Sequence, residues 1–185
     1  MKNLIIISGD LAAGKSTLAD ALSNHYKMVS IKKDTIKEMV CDEIGYKTRE
    51  ENRALSIASV KIMLYFFEQS ALVGDDLILE ANFRSDELSE LKSLCDKYQY
   101  HPLLIILTGD KKVLYERFIS RLPNRHIAHK SIHLEESFDK YSEYIDSLRE
   151  QDFVFPIHQF DVTNTSEDEL LNQIQELFKQ EGIKK

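Results

Sequence analysis

The chain has 185 residues, 43% hydrophobic and 30% charged, a length and balance suited to one globular domain with a sizeable core. Its formal net charge of -7 argues against a protein built to grip duplex nucleic acid. Its strand-length apolar runs, such as "LIII" and "LLIIL", are too short to span a bilayer.

In chain order, five short apolar runs predict strands at Leu4–Ser8, Met28–Lys32, Leu77–Glu80, Leu103–Thr108 and roughly Phe155–Val162. They lack clean alternation, which predicts a parallel sheet covered on both faces. Helical patterns lie between them at Lys15–His25, Thr35–Glu43, Glu51–Val73, Ser85–Tyr98, Lys111–Arg121, about Glu135–Gln151, and Ser166–Gln180. Such alternation calls for right-handed crossovers and a doubly wound sheet. The run "VKIMLYFF" reads as a buried helix face. "VGDD" and Pro102 break the chain before the third and fourth strands, and Thr165 or Ser166 is placed to cap the last helix. No linker divides the sequence, so residues 1–185 are expected to form a single domain. The apolar start runs straight into a glycine turn without a small-residue cleavage site, so no signal peptide is expected. Cys41 and Cys95 lack pairing or metal spacing and suit inert thiols in a reducing, cytoplasmic compartment.

The stretch "GDLAAGKST" fits G-x-x-x-x-G-K-[ST] with Gly9, Gly14, Lys15 and Ser16 in place. A β-branched strand precedes it and an amphipathic helix follows, the setting a phosphate-binding loop requires. The glycines let the backbone aim successive N–H groups at phosphate oxygens, and the helix start adds its positive end. Lys15 is expected to reach the β- and γ-phosphates and the Ser16 hydroxyl to take a magnesium position. Gly9, Asp10, Leu11, Ala12, Ala13, Gly14, Lys15, Ser16 and Thr17 are therefore the expected cradle for ATP.

In open α/β sheets the ligand sits beyond the carboxyl ends of the strands, so the other strand tips deserve scrutiny. "KKDTIKE" puts Asp34 at the second tip, and "LILEANFR" puts Glu80, Asn82 and Arg84 at the third. Glu80 follows its apolar run as a magnesium-holding acid would, through water. Asp34 is the expected base for an attacking hydroxyl, a role compatible with its capping the helix "TIKEMV". Asp110, at the fourth tip, reads as a helix N-cap.

Six Lys or Arg residues fall between Lys111 and Lys130, against an acidic stretch from Leu134 onward. Arg117, Arg121 and Arg125 recur every four residues in "YERFISRLPNRHIAHK", and the first two share a helix face. Phosphoryl transfer depends on positioning and charge neutralisation, so mobile arginines closing over the γ-phosphate are an expected part. We expect a lid at about 117–133, with Arg121 and Arg125 catalytic and Arg117 on the nucleotide; for Arg117 a solvated basic helix serves equally well. His126, His129 and His133 lack a partnering cysteine or an HExxH pattern, so zinc is not expected.

Together "GDLAAGKSTLADAL", "KKDTIKE", "LILEANFR" and "ILTGDKKVLYERFISR" resemble the small P-loop kinases of the AAA-33 group, which is similar to zeta toxins, chloramphenicol phosphotransferase and the kinase domain of phage polynucleotide kinase. The resemblance implies a three-layer P-loop NTPase fold with a five-stranded parallel sheet of order 2-3-1-4-5. It also implies an aspartate base after the second strand with a basic residue three positions on, matched by Asp34 and Lys37. Many members carry Asp where this chain has Glu80.

The expected activity is transfer of the γ-phosphoryl group of ATP-Mg2+ to a hydroxyl of a small molecule, nucleotide or sugar-nucleotide. Asp34, Lys37, Asn82 and Arg84 are expected on the acceptor. A nucleotide-dependent switch and a 5′-hydroxyl nucleic-acid kinase are the alternatives; the sequence shows no N-K-x-D guanine signature, and 185 residues fall short of the length expected of an ATPase motor with an additional helical domain. The acceptor pocket is expected along Asp34–Tyr46 and the helix near Arg49–Phe67. Within "KTREENR", Arg49 and Arg53 read first as a solvated helix start. Adenine contacts are expected from the lid and "VTNT". No membrane partner is expected, and the oligomeric state is left open.

Overall fold

A computed structural model describes residues 2–129 and 133–183. Its elements are β1 (Lys2–Gly9), α1 (Lys15–Tyr26), β2 (Val29–Lys32), α2 (Lys33–Ile44), α3 (Arg49–Val73), β3 (Leu77–Glu80), α4 (Ser85–Tyr98), β4 (Tyr100–Thr108), α5 (Lys111–Arg121), α6 (Phe138–Arg149), β5 (Ile157–Asp161) and α7 (Glu167–Gln180). Short 3₁₀ turns at Leu122–Asn124, Ile127–His129 and Leu134–Glu136 join α5 to α6. The five strands form one parallel sheet in the order β2-β3-β1-β4-β5, the order implied by the family resemblance.

Alternate side chains of the central strands feed two cores. Ile5, Ile7, Ile78, Leu103, Ile105 and Leu107 face α1, α5, α6 and α7, where Leu22, Leu114, Ile145 and Phe178 meet them. Leu4, Ile6, Leu77, Leu79, Leu104 and Ile106 face α3 and α4, against Met63, Phe67, Leu88 and Leu91. This period of two is hidden in the sequence because both faces need apolar residues. The expected covering fails at the edges: β2 and β5 hold only half-buried and exposed positions, and Ile157 stays 44% exposed. The run "VKIMLYFF" is buried on one side only; Val60, Met63, Leu64 and Phe67 face the core, while Tyr65 and Phe66 face outward.

Local signals set the element ends. Thr48 and Glu51 form a capping box at the start of α3, and Ser166 with Glu169 does the same for α7. Asp110 caps α5 as expected, accepting from the backbone N–H of Lys112 at 2.9 Å and of Val113 at 3.1 Å. Asp34 does not cap α2: β2 runs directly into α2, the N-cap position is Lys32, and Asp34 lies inside the first helical turn. Cys41 and Cys95 are both buried and free, and burial pushes the Cys95 thiol up to about 12.

Candidate active site

The phosphate loop links β1 to α1 and is held from both sides of the sheet. Gly9 has φ +126°, and a Cβ built there would lie 2.1 Å from the Leu107 carbonyl oxygen of β4, so glycine is obligatory. Gly14 has φ +85° and precedes α1 without a side-chain cap. Leu18 is the first amide to find a helical carbonyl, that of Gly14 at 3.0 Å. The amides of Lys15, Ser16 and Thr17 therefore stay available to an anion at the positive end of the helix. Ala12, at φ 62°, adopts the left-handed region that disfavours a side chain, and the loop keeps it there.

Lys15 is buried and its ammonium donates to the carbonyls of Gly9 at 3.2 Å and Asp10 at 2.6 Å. Burial holds it below the usual lysine range, opposed by the nearby carboxylates of Glu80, Asp34 and Asp10. Ser16 donates its hydroxyl to Glu80 Oε2 at 3.0 Å. Burial pushes the Glu80 carboxyl up, with Lys15 pulling the other way. A carboxylate whose charge is disfavoured, next to a hydroxyl oxygen and the phosphate loop, fits a hard divalent cation that takes oxygen ligands. Ser16 and Glu80 are the residues that would hold magnesium.

Asp34 lies across the same cavity of about 480 Å³, which is also lined by Lys15, Ser16, Glu80, Asn82 and Arg121. Its side chain keeps 61% of its surface open and lines that cavity. Burial pushes the Asp34 carboxyl up, but Lys33, His129, Lys15 and Lys37 outweigh that and hold it below the usual range. It is an ionised acceptor of protons facing the phosphate loop.

The described part of the expected lid is docked onto α2 and α3. Lys37 donates to Asn52 Oδ1 and to the Ala128 carbonyl, both at 2.8 Å, and Asn52 donates to the same carbonyl at 3.0 Å. Tyr46 donates its hydroxyl to the Ile127 carbonyl at 2.7 Å. His126 faces Asp42 at 2.9 Å and His129 faces Glu38 at 2.8 Å. Ala128 packs with Cys41 and Leu55 in a small apolar cluster beneath. Lys37 is thus a buried tie between the lid, α2 and α3. Arg121 and Arg125 both line the phosphate-side cavity, with Arg125 stacked over the Phe118 ring at 4.8 Å. The lid expected at 117–133 includes residues 130–132, which lie outside the described residues.

Arg117 points elsewhere. Its guanidinium donates to the carbonyls of Val162 at 3.1 Å and Thr163 at 3.0 Å, fixing the loop after β5. It lines a neighbouring cavity of about 350 Å³ with Ala12, Ala13, Thr17, Val162 and Thr165, on the other side of Arg121. Three positions in the expected cradle do not line the phosphate-side cavity: Gly9 is pressed against β4, the Asp10 carboxylate is buried against Arg149, and Ala13 lines only a neighbouring cavity. Arg84 opens instead into a third cavity of about 230 Å³, beyond Asp34, which Lys37 and Asn82 also reach.

Two side chains that sequence reasoning missed shape the site. Tyr141 donates its hydroxyl to the Leu11 carbonyl at 2.9 Å, and Arg149 bonds Asp10 and the Gly109 carbonyl; both come from α6 and brace the loop from behind. No local pattern marks a contact spanning this much chain. Arg49 and Arg53 are both exposed, as a solvated helix start should be, and Arg53 also lines the third cavity. Among the described residues no group of three or more His, Cys, Asp or Glu side chains gathers as a metal cluster.

Solved structures share this fold over nearly the whole chain. A candidate kinase of Chloroflexus aurantiacus is 22% identical, with 97% of each chain covered and a TM-score of 0.74. A sugar kinase from a Janibacter species is 12% identical over 97% of this chain and 95% of its own, with a TM-score of 0.66. The tunicamycin resistance protein of Deinococcus radiodurans is 15% identical over 100% of this chain and 98% of its own, with a TM-score of 0.62. No protein-family model matches the sequence, and no curated protein does. The architecture is the three-layer α/β fold of P-loop kinases.

Proposed function

We propose that the chain is a single-domain phosphotransferase that moves the γ-phosphoryl group of ATP, with magnesium, to a hydroxyl of a small molecule, nucleotide or sugar-nucleotide. The observation that carries this reading is one cavity of about 480 Å³ joining the phosphate loop, the Ser16–Glu80 oxygen pair, Asp34 and two lid arginines. Resemblance to the AAA-33 and zeta-toxin-like kinases supports it, as do the names of kinases with this fold.

ATP-Mg2+ supplies the transferable phosphoryl group and a cation that offsets its charge. The amides of residues 14–17 and the Lys15 ammonium hold the phosphate chain. Ser16 and Glu80 would hold the cation. The neighbouring cavity beside Arg117, Val162 and Thr165 takes the nucleoside. Asp34 orients the acceptor hydroxyl and takes its proton, while Arg121 and Arg125 neutralise charge on the transferring group. Lys37 keeps the lid docked beside Asp34, and Asn82 and Arg84 contact the acceptor. Two buried free thiols suit a reducing, cytoplasmic setting.

The test is transfer of label from γ-labelled ATP with magnesium across a panel of nucleosides, sugars, UDP-sugars, aminoglycosides, chloramphenicol and 5′-hydroxyl oligonucleotides. Label on one acceptor class, absent with Lys15→Ala, is the expected result. Binding of ATP without transfer to any of them would favour a nucleotide-dependent switch instead.

A further inference from the structure

Beyond Asp34 the phosphate-side cavity continues into the third cavity, of about 230 Å³; Leu11, Asp34, Asn82, Arg125 and His129 line both. Three elements contribute an arginine to its lining: Arg53 from α3 and Arg84 from the start of α4, both exposed, and the half-buried Arg125 from the lid. None of the three has a carboxylate within ion-pair distance among the described residues, although other cations of the chain do, as with Lys61 and Glu90 or Arg149 and Asp10. Asp34, Asp86 and Glu87 also line this space, and Glu87 accepts from the Arg84 N–H at 2.9 Å. With Lys33 and Lys37 beside the three arginines, cations outnumber carboxylates there, and an oxyanion placed among them would gain charge-assisted, bidentate bonds.

A second observation fixes where the rest of the ligand goes. Asn82 Oδ1 is buried without a hydrogen-bond partner, and Asn82 lines both cavities beside Asp34. A buried acceptor left unpaired is costly, and a hydroxyl donor at this boundary would satisfy it. Tyr144 flanks the same space and shares a side-chain hydrogen bond with Asn82, which leaves Asn82 Oδ1 still open; burial pushes the Tyr144 phenol up, so it stays neutral.

We infer that the third cavity is an oxyanion subsite, formed by Arg53 and Arg84 with Arg125 at its boundary, and that the acceptor is a small hydroxyl compound carrying a carboxylate or phosphate group. The inference rests on the phosphotransferase reading for the word acceptor, but the subsite itself is a statement about binding. The hydroxyl lies at Asp34 and Asn82, and the anionic end lies toward Arg53 and Arg84. At about 230 Å³ the space falls below the roughly 300–1,000 Å³ of drug-sized ligand sites, which suits a compact anionic group and not a polymer.

The experiment separates this inference from the catalytic one. With the phosphate loop filled by a non-hydrolysable ATP analogue and magnesium, binding of gluconate, glucose 6-phosphate and neutral glucose is measured by calorimetry; uridine 5′-monophosphate and uridine form a second pair. Wild type is compared with Arg53→Gln, Arg84→Gln and the double variant, each checked for an unchanged affinity for the ATP analogue. At least one anionic probe should bind about tenfold or more tightly than its neutral match, and each substitution should weaken it about tenfold, as loss of a charged hydrogen bond does. Preference within the anionic set tells carboxylate from phosphate. Binding that the double variant abolishes, with no transfer from ATP, would uphold the subsite and remove the kinase reading. Equal binding of charged and neutral probes, no binding of any anion, or indifference to both substitutions would overturn the subsite.

Discussion

Arg149 reaches 139 residues back along the chain to grip Asp10, with Nε on Oδ1 at 3.1 Å and Nη2 on Oδ2 at 2.5 Å. The carboxylate has 1% of its side-chain surface exposed, and it also accepts from the Gly109 backbone N–H at 3.1 Å. The last turn of α6 is in this way fastened to the floor of the phosphate loop. Removing the arginine would strand a buried charge, which costs about 3–5 kcal/mol for a fully buried pair. Because Arg149 is 34% exposed, water recovers part of that, and Arg149→Met should destabilise by about 1–3 kcal/mol. Urea unfolding reads this directly; an unchanged midpoint would mean that Gly109 alone keeps Asp10 satisfied.

Asp34→Asn keeps the shape of the side chain and removes its charge. ATP binding should be unaltered while transfer falls by about 10²–10⁴, the usual worth of a positioned base. Transfer at the wild-type rate would leave Asp34 with no part beyond the first turn of α2.

Glu80→Gln separates the cation's partner from its buried charge. The magnesium concentration for half-maximal activity should rise about 10–100-fold, as it does when a supporting ligand is lost. The protein without nucleotide should unfold at the same temperature or higher, because burial disfavours the charge that the amide removes. A lower melting temperature would show the carboxylate to be structural.

Arg121 lies between the phosphate-side and nucleoside-side cavities and has no ion-pair partner among the described residues. Arg121→Ala should lower kcat by about 10²-fold or more, given what an arginine contributes to phosphoryl transfer, with little change in KM for ATP. A change confined to KM would make it a nucleotide anchor.

His129 gives the lid a pH dependence whose sign opposes intuition. It faces Glu38 at 2.8 Å, a contact that would ordinarily raise its pKa. Burial outweighs this and the pull of Asp34, holding the imidazole below its ordinary value of 6.5. The unfolded chain therefore takes up this proton more readily than the folded one, and acidification through 6.5 costs stability until the folded imidazole is itself protonated. His129→Gln should flatten the fall in melting temperature below that pH. An equally steep fall would locate the sensitivity elsewhere.

The fold was legible because glycine, hydroxyl and apolar runs constrain the backbone locally. Each strand and helix read from the sequence exists, and most ends shift by only a few residues. Asp34 moved from the cap position into the first turn of α2 because β2 runs straight into α2 at Lys32 and Lys33, with no loop between them. The loop's supports were not legible. Arg149 at a helix C-terminus looks like an ordinary partner for the helix dipole, and Tyr141 looks like core. Arg53 is the solvated charge it was read as, but its place beside Arg84 and Arg125 at one cavity arises only through the fold.

Gly9 is forbidden a side chain by β4, since the 2.1 Å approach to the Leu107 carbonyl exists with no phosphate present. A library randomised at residue 9 and sorted only for soluble, folded protein should therefore return glycine before any nucleotide is added. Randomised at residue 14, where a Cβ would meet nothing within 4 Å, the same sort should tolerate asparagine or aspartate, leaving it to an activity screen to demand glycine again. One motif thus holds two glycines under separate pressures, the first answering to the sheet and the second to whatever the loop embraces.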